Sequence, residues 1–140
     1  MRVEFTIPGK PEGKARPRFR RAGNYVQTYT PKNTQAYEAK VRECWKAAGH
    51  RKLEGEIEAK IVGYFPIPKS ATKKRRAIME AGMVGCPTKP DSDNLAKGVL
   101  DALNGKAYDD DSHITRLEVI KLYGAEPRCE VILTEKETEQ

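Results

Sequence analysis

The stretch ITRLEVIKLY, Ile114 to Tyr123, alternates polar and apolar side chains, and CEVILT, Cys129 to Thr134, does so again. Period-two alternation marks a half-buried strand. With only Gly124 to Pro127 between them, the two segments predict a β-hairpin. Working outward, Arg2 to Ile7 shows the same alternation through Val3, Phe5 and Ile7, and Glu54 to Phe65 through Ile57, Ala59 and Ile61. Helical spacing appears instead from Thr30 to Ala48, where Tyr37, Val41, Cys44, Trp45 and Ala48 form one stripe. It appears again from Ser92 to Leu103, with Leu95, Val99, Ala102 and Leu103 on one face and Asn104-Gly105 as the stop. Ser70 to Met83 reads as a helix with a very basic side. The order β–loop–α–β–α–α–β–β predicts an α+β two-layer sandwich, with a small antiparallel or mixed sheet and helices packed on one face.

The chain has 140 residues, the size of one domain, so residues 1–140 are read as a single unit with a polar, frayed tail at 135–140. Charged residues make up 33%, and mean hydropathy is −0.73. The longest mostly apolar stretch, Ala59 to Pro66, contains Lys60 and is far short of the ~20 residues a membrane-spanning helix needs. Met1 is followed by Arg2-Val3-Glu4, with no apolar signal core. Cys44, Cys86 and Cys129 are odd in number and widely spaced, which fits a reducing cytoplasm.

Net charge is +6, and its placement is uneven. Residues 1–35 hold eight cations against Glu4 and Glu12. Most of them lie in the Pro- and Gly-rich segment 8–30, which reads as a long basic loop. Lys69, Lys73, Lys74, Arg75, Arg76 and Lys89 make a second basic block against Glu80. Between 91 and 111, six aspartates face only Lys97 and Lys106. Two basic blocks around an acidic centre suggest a polyanionic partner.

In the acidic segment 89–114, Asp91 and Asp93 stand two apart, so in extended chain their carboxylates point the same way. Asp93, Lys97 and Asp101 follow at i, i+4, i+8 on one helix face, opposite the apolar one. The run Asp109-Asp110-Asp111 lies just beyond. Carboxylates gathered this way repel unless a cation neutralises them. Oxygen donors suit Mg²⁺ or Mn²⁺, which can serve phosphodiester hydrolysis. His50 and His113 are isolated and no Cys-x-x-Cys occurs, so zinc is not indicated. The plainer alternatives are helix caps at 91 and 93, a turn at 109–111 and a solvated Lys97–Asp101 pair.

The run KPDSDNLAKGVLDALNG, Lys89 to Gly105, followed by DDDSHI, Asp109 to Ile114, resembles the signature of the RusA family of Holliday junction resolvases. KARPRF, Lys14 to Phe19, resembles the branch of that family found in bacteria and their prophages. The resemblance implies a crossover junction endodeoxyribonuclease of DNA recombination and repair. In it Asp91, Asp93 and Asp111 bind Mg²⁺ for catalysis and Lys97 assists. Asp110 and Asp101 take secondary places around them, and His113 stands where the family often has Gln. The family is dimeric, and a four-way junction with two-fold symmetry calls for a C₂ homodimer making paired nicks.

Around this centre, Lys14, Arg16, Arg18, Arg20 and Arg21 supply phosphate-neutralising charge, with Phe19, Tyr25 and Tyr29 as rings that can stack on exposed bases. Lys73, Lys74, Arg75 and Arg76 are further candidates for branched DNA, or else a solvated face. Two other classes compete: a non-catalytic basic nucleic-acid-binding protein, and a structural component of a ribonucleoprotein.

Overall fold

In the computed structural model, which describes residues 1–14 and 18–137 and of Arg18 only the backbone, four strands form one mixed sheet. They are β1 (Arg2–Pro8), β4 (Ile57–Pro66), β5 (Ile114–Gly124) and β6 (Arg128–Glu135), in the order β1-β6-β4-β5. A separate two-stranded ribbon pairs β2 (Arg18–Ala22) with β3 (Tyr25–Tyr29). The helices are α1 (Lys32–Ala47), α2 (Lys73–Glu80) and α3 (Ser92–Leu103), and a 3₁₀ turn at Asp111–His113 leads into β5. The architecture is the expected α+β layering of helices on a small mixed sheet.

The connection between the last two strands differs from the predicted hairpin. β5 runs parallel to β4, β6 runs antiparallel to it, and β4 lies between them. Residues 125–127 therefore step across two strand spacings, about 10 Å, over the end of β4. Gly124 makes the crossing possible: a Cβ there would stand 3.1 Å from the Tyr64 Cβ. The Arg128 guanidinium then lies 3.8 Å from the Tyr64 ring centroid and holds the far side of the crossing. Strand propensity is the same for either pairing, so the alternation alone could not choose between them.

Three further expectations change. Segment 8–30 is not irregular throughout, because Arg18–Tyr29 folds back as a ribbon around Gly23, whose φ of +64° suits the turn. The basic helix is shorter than 70–83, starting after Thr72, whose Oγ1 accepts from the Arg75 amide at 3.1 Å. The tail is ordered further than expected: Glu135 ends β6, and Lys136 pairs with Glu56 and Glu58. Residues 138–140 lie outside the described residues.

The core lies between the sheet and α1 and α3. Val3, Phe5 and Ile7 of β1, Ile57, Ala59 and Ile61 of β4, and Cys129, Val131 and Leu133 of β6 face it at alternate positions. Tyr37, Val41 and Trp45 meet them from α1, and Leu95, Val99 and Leu103 from α3. Ala48, the last member of the predicted α1 stripe, is exposed beyond the helix end. Gly63 lets α3 settle closely on the sheet, since a Cβ there would come within 2.9 Å of the Leu95 side chain. No helix among the described residues is long and apolar enough to cross a membrane.

Candidate active site

The acidic residues are carried by α3 and by the loop that returns from it to β5. Asp91 occupies the N-cap position with extended φ and ψ (−63°, 156°), yet its carboxylate makes no cap hydrogen bond. The capping role that favours aspartate at such a position is thus unused. Asp93 sits in the first turn, exposed, and Lys97 is exposed one turn later. Asp101, a further turn on, is half-buried, with Lys14 Nζ 3.7 Å from its carboxylate. The stripe of Asp93, Lys97 and Asp101 therefore follows the sequence expectation.

The three aspartates of the return loop have separate fates. Asp109 pairs with Lys52, which holds its carboxyl below the usual range. Asp110 caps the 3₁₀ turn by accepting from the Ser112 amide at 3.1 Å, and this bond lowers its pKa too. Asp111 donates its backbone N–H to Asn104 Oδ1 at 2.9 Å. Its carboxylate has no partner among the described residues. The loop is braced from the strand side by the Leu53 amide on the Ala107 carbonyl (2.8 Å) and by His113 Nδ1 at 3.1 Å from the Gly55 carbonyl. His113 is thereby engaged with the backbone.

Tyr108 anchors the loop to the helix through its hydroxyl, which donates to the Leu100 carbonyl at 2.6 Å. Burial pushes its pKa up, and the charges of Asp111, Asp101 and Asp110 add to the effect. Those three acids thus gather at the C-terminal end of α3, around one buried ring. Asp91 and Asp93 are at the other end. From the N-cap to Asn104, a helix rising 1.5 Å per residue covers about 20 Å. Accordingly, no three His, Cys, Asp or Glu side chains among the described residues stand close enough to share an ion. The donors suit a hard cation chemically: exposed carboxylates, with those of Asp91, Asp93 and Asp111 not consumed by other bonds. They suit an ion held by one or two carboxylates and completed by water and phosphate, rather than an all-protein cage.

The basic segments are also divided. Lys14 is drawn into the protein, with its ammonium 3.2 Å from Glu38 of α1 as well as near Asp101. Its amide donates to the Asn94 carbonyl of α3 at 3.0 Å. Gly98 provides the room, since a Cβ there would lie 2.9 Å from the Glu12 carbonyl oxygen. Segment 11–14 is thus strapped onto the acidic helix. Arg20 and Arg21 are exposed on the ribbon, Arg20 bonding Gln27 at 3.0 Å and lying 5.7 Å from the Tyr29 ring. Phe19, Tyr25 and Val26 are exposed beside them. Arg16 lies outside the described residues, as does the side chain of Arg18. On α2, Lys73, Lys74 and Arg75 are exposed, while Arg76 donates to the Pro68 carbonyl at 3.4 Å.

Sequence reasoning missed Lys52, Asn104 and Tyr108, which set the return loop. It also missed Lys10, Lys40 and Lys89, which line a cleft beside Asp91. Asn104 carried a local signal as the Asn-Gly stop of α3, and Lys89 one as the cation that opens the Lys89–Gly105 run. The others act through contacts distant in sequence.

Comparison with known proteins gives two findings. Residues 8–134 match the family described as Endodeoxyribonuclease RusA. The chain is also 36% identical over 138 residues to an uncharacterized protein, YqaN, of Bacillus subtilis (strain 168), covering 95% of this chain and 96% of that one.

Proposed function

Because the chain belongs to the RusA family of endodeoxyribonucleases, we propose that it is a Mg²⁺-dependent, structure-selective hydrolase that resolves four-way DNA junctions by paired nicks. The observation that carries the metal reading beyond family membership is Asp91, an N-cap aspartate whose carboxylate is not spent on the cap. Asp91 and Asp93 would hold the ion, with water and phosphate oxygens of the bound strand completing its shell, while Asp111, at the other end of α3, would act on the strand separately rather than as a ligand of the same ion. When bound, Mg²⁺ or Mn²⁺ supplies an activated water and charge for the leaving oxygen.

The chain's own residues do the rest. Lys97, exposed between Asp93 and Asp101, offers its ammonium to the charge that develops on the phosphoryl oxygens. Asp110 and Asp101 act from behind, the first by shaping the 3₁₀ turn that carries Asp111, the second by holding Lys14. Arg16, Arg18, Arg20 and Arg21 neutralise backbone phosphates, and the exposed ring of Phe19 offers a stacking surface for bases that a branch point unpairs. Lys73, Lys74 and Arg75, exposed on α2, are further groups for neutralising phosphate. Each protomer carries one such site, so cutting opposed strands requires a two-fold homodimer. A DNA substrate fits a protein of the cytoplasm.

A synthetic four-way junction tests this reading. Symmetric paired nicks are expected with Mg²⁺ and none in excess EDTA. Asp91→Asn, Asp93→Asn and Asp111→Asn should each abolish cutting while leaving junction binding in place. Cleavage that persists in EDTA, or in all three variants, sinks the metal mechanism. A monomer at working concentration by light scattering sinks the dimer.

A further inference from the structure

A cleft of about 650 Å³ opens between the chain leaving β1, helix α1 and the loop entering α3. Its walls carry Lys10, Lys14, Lys40 and Lys89, against only Glu12 and Asp91. Lys14 is compensated by Glu38 and Asp101, as described. Lys10 and Lys89 form no ion pair among the described residues. Lys40 donates to the Pro8 carbonyl, a neutral partner that fixes the ammonium at the cleft without cancelling its charge. It lies against Gly9, where a Cβ would stand 2.9 Å from Nζ.

Three ammonium groups without an ion-pair partner among the described residues repel one another on one concave surface. An anion entering the cleft would relieve that repulsion. Lysine suits a phosphate as a mobile point charge, without the planar geometry a carboxylate fork would ask of arginine. Asp91 lies on the same lining, so an anion held here is a neighbour of whatever Asp91 engages. We propose that Lys10, Lys40 and Lys89 bind a backbone phosphodiester of the strand to be cut, adjacent to the phosphate presented to Asp91. This rests on the DNA-cutting function above, and it makes the cleft a second contact, apart from the ribbon's arginines, that sets the strand's position.

The test is junction binding in EDTA over a series of KCl concentrations, with the wild-type protein's cleavage in Mg²⁺ measured alongside. Lys10→Gln/Lys89→Gln removes two groups that form no ion pair or side-chain hydrogen bond among the described residues, and adding Lys40→Gln completes the set. The double variant is expected to bind several-fold more weakly, and the slope of log affinity against log salt should fall by about one. Lys46→Gln, which removes one charge near the other end of α1, should leave the slope unaltered. Unchanged affinity and slope in the double variant overturn the proposal, even if wild type cuts junctions normally. An equal fall in Lys46→Gln overturns it as well, because the effect would then be one of overall charge. If the slope falls as expected but wild type cuts no junction, the cleft stands as a phosphate site and the resolvase reading is what fails.

Discussion

Asp91 has the place of a helix cap without the bond, and Lys14 has the charge of a DNA contact without the exposure. Spacing placed both near the centre, but it cannot say which way a side chain turns. The two carboxylates around Lys14, with only 23% of its side chain exposed, turn it inward. Lys14→Met should therefore act mainly through stability. A half-buried pair lies between the exposed and buried limits, so about 1–2 kcal/mol is expected, read as a lower urea midpoint. The salt dependence of junction binding should change little, whereas Arg20→Gln/Arg21→Gln should flatten it. A lysine variant with full stability and a flattened slope would return Lys14 to the DNA surface.

Among the elements, α3 was readable to the residue, because it combines a clean apolar face with stop signals at both ends. The ribbon and the last two strands were not. Residues 18–29 have no regular alternation of apolar positions and no partner sheet, so period and charge point only to a basic loop. The β5–β6 connection has the length of a hairpin loop, and only the position of β4 shows that it crosses. Gly98 lies in α3 for a reason that the helix pattern hides. Alanine is normally preferred over glycine in a helix by about 1 kcal/mol. Here its Cβ would meet the Glu12 carbonyl, which is backbone and cannot swing aside. Overpacking of this kind costs about 1–3 kcal/mol, so the contact outweighs the propensity. Gly98→Ala is expected to lower the melting temperature and to loosen the strap, exposing the Lys14 amide to faster hydrogen exchange. A variant more stable than wild type would show that segment 11–14 does not bear on the helix.

For the whole molecule, composition and element order sufficed for an α+β protein with a polyanionic partner, because layers follow from periodicity and charge blocks from counting. How the acids divide between the two ends of α3 depends on Tyr108 and Asn104, and so could emerge only from the fold. The same burial that fixes Tyr108 determines how the protein responds to alkali. Tyr37 and Tyr108 are pushed upward by burial, and the Cys129 thiol rises to about 12 for the same reason. In each case the folded state keeps a proton that the unfolded chain loses sooner. Stability is then fully present below the unfolded pKa and declines as pH climbs toward the folded one, at about 1.4 kcal/mol per pH unit for each group. Between about pH 9 and 10 the thiols contribute, Cys129 and with it Cys44, also raised by burial, and above about 10 both phenols join them. The urea midpoint should fall gently across the first interval and more steeply beyond it. Cys129→Val should reduce the gentle part and keep the steep one. A midpoint that stays level up to pH 11 would mean that these groups ionise inside the fold, and that the core around Tyr108, on which the acidic loop depends, is open to water.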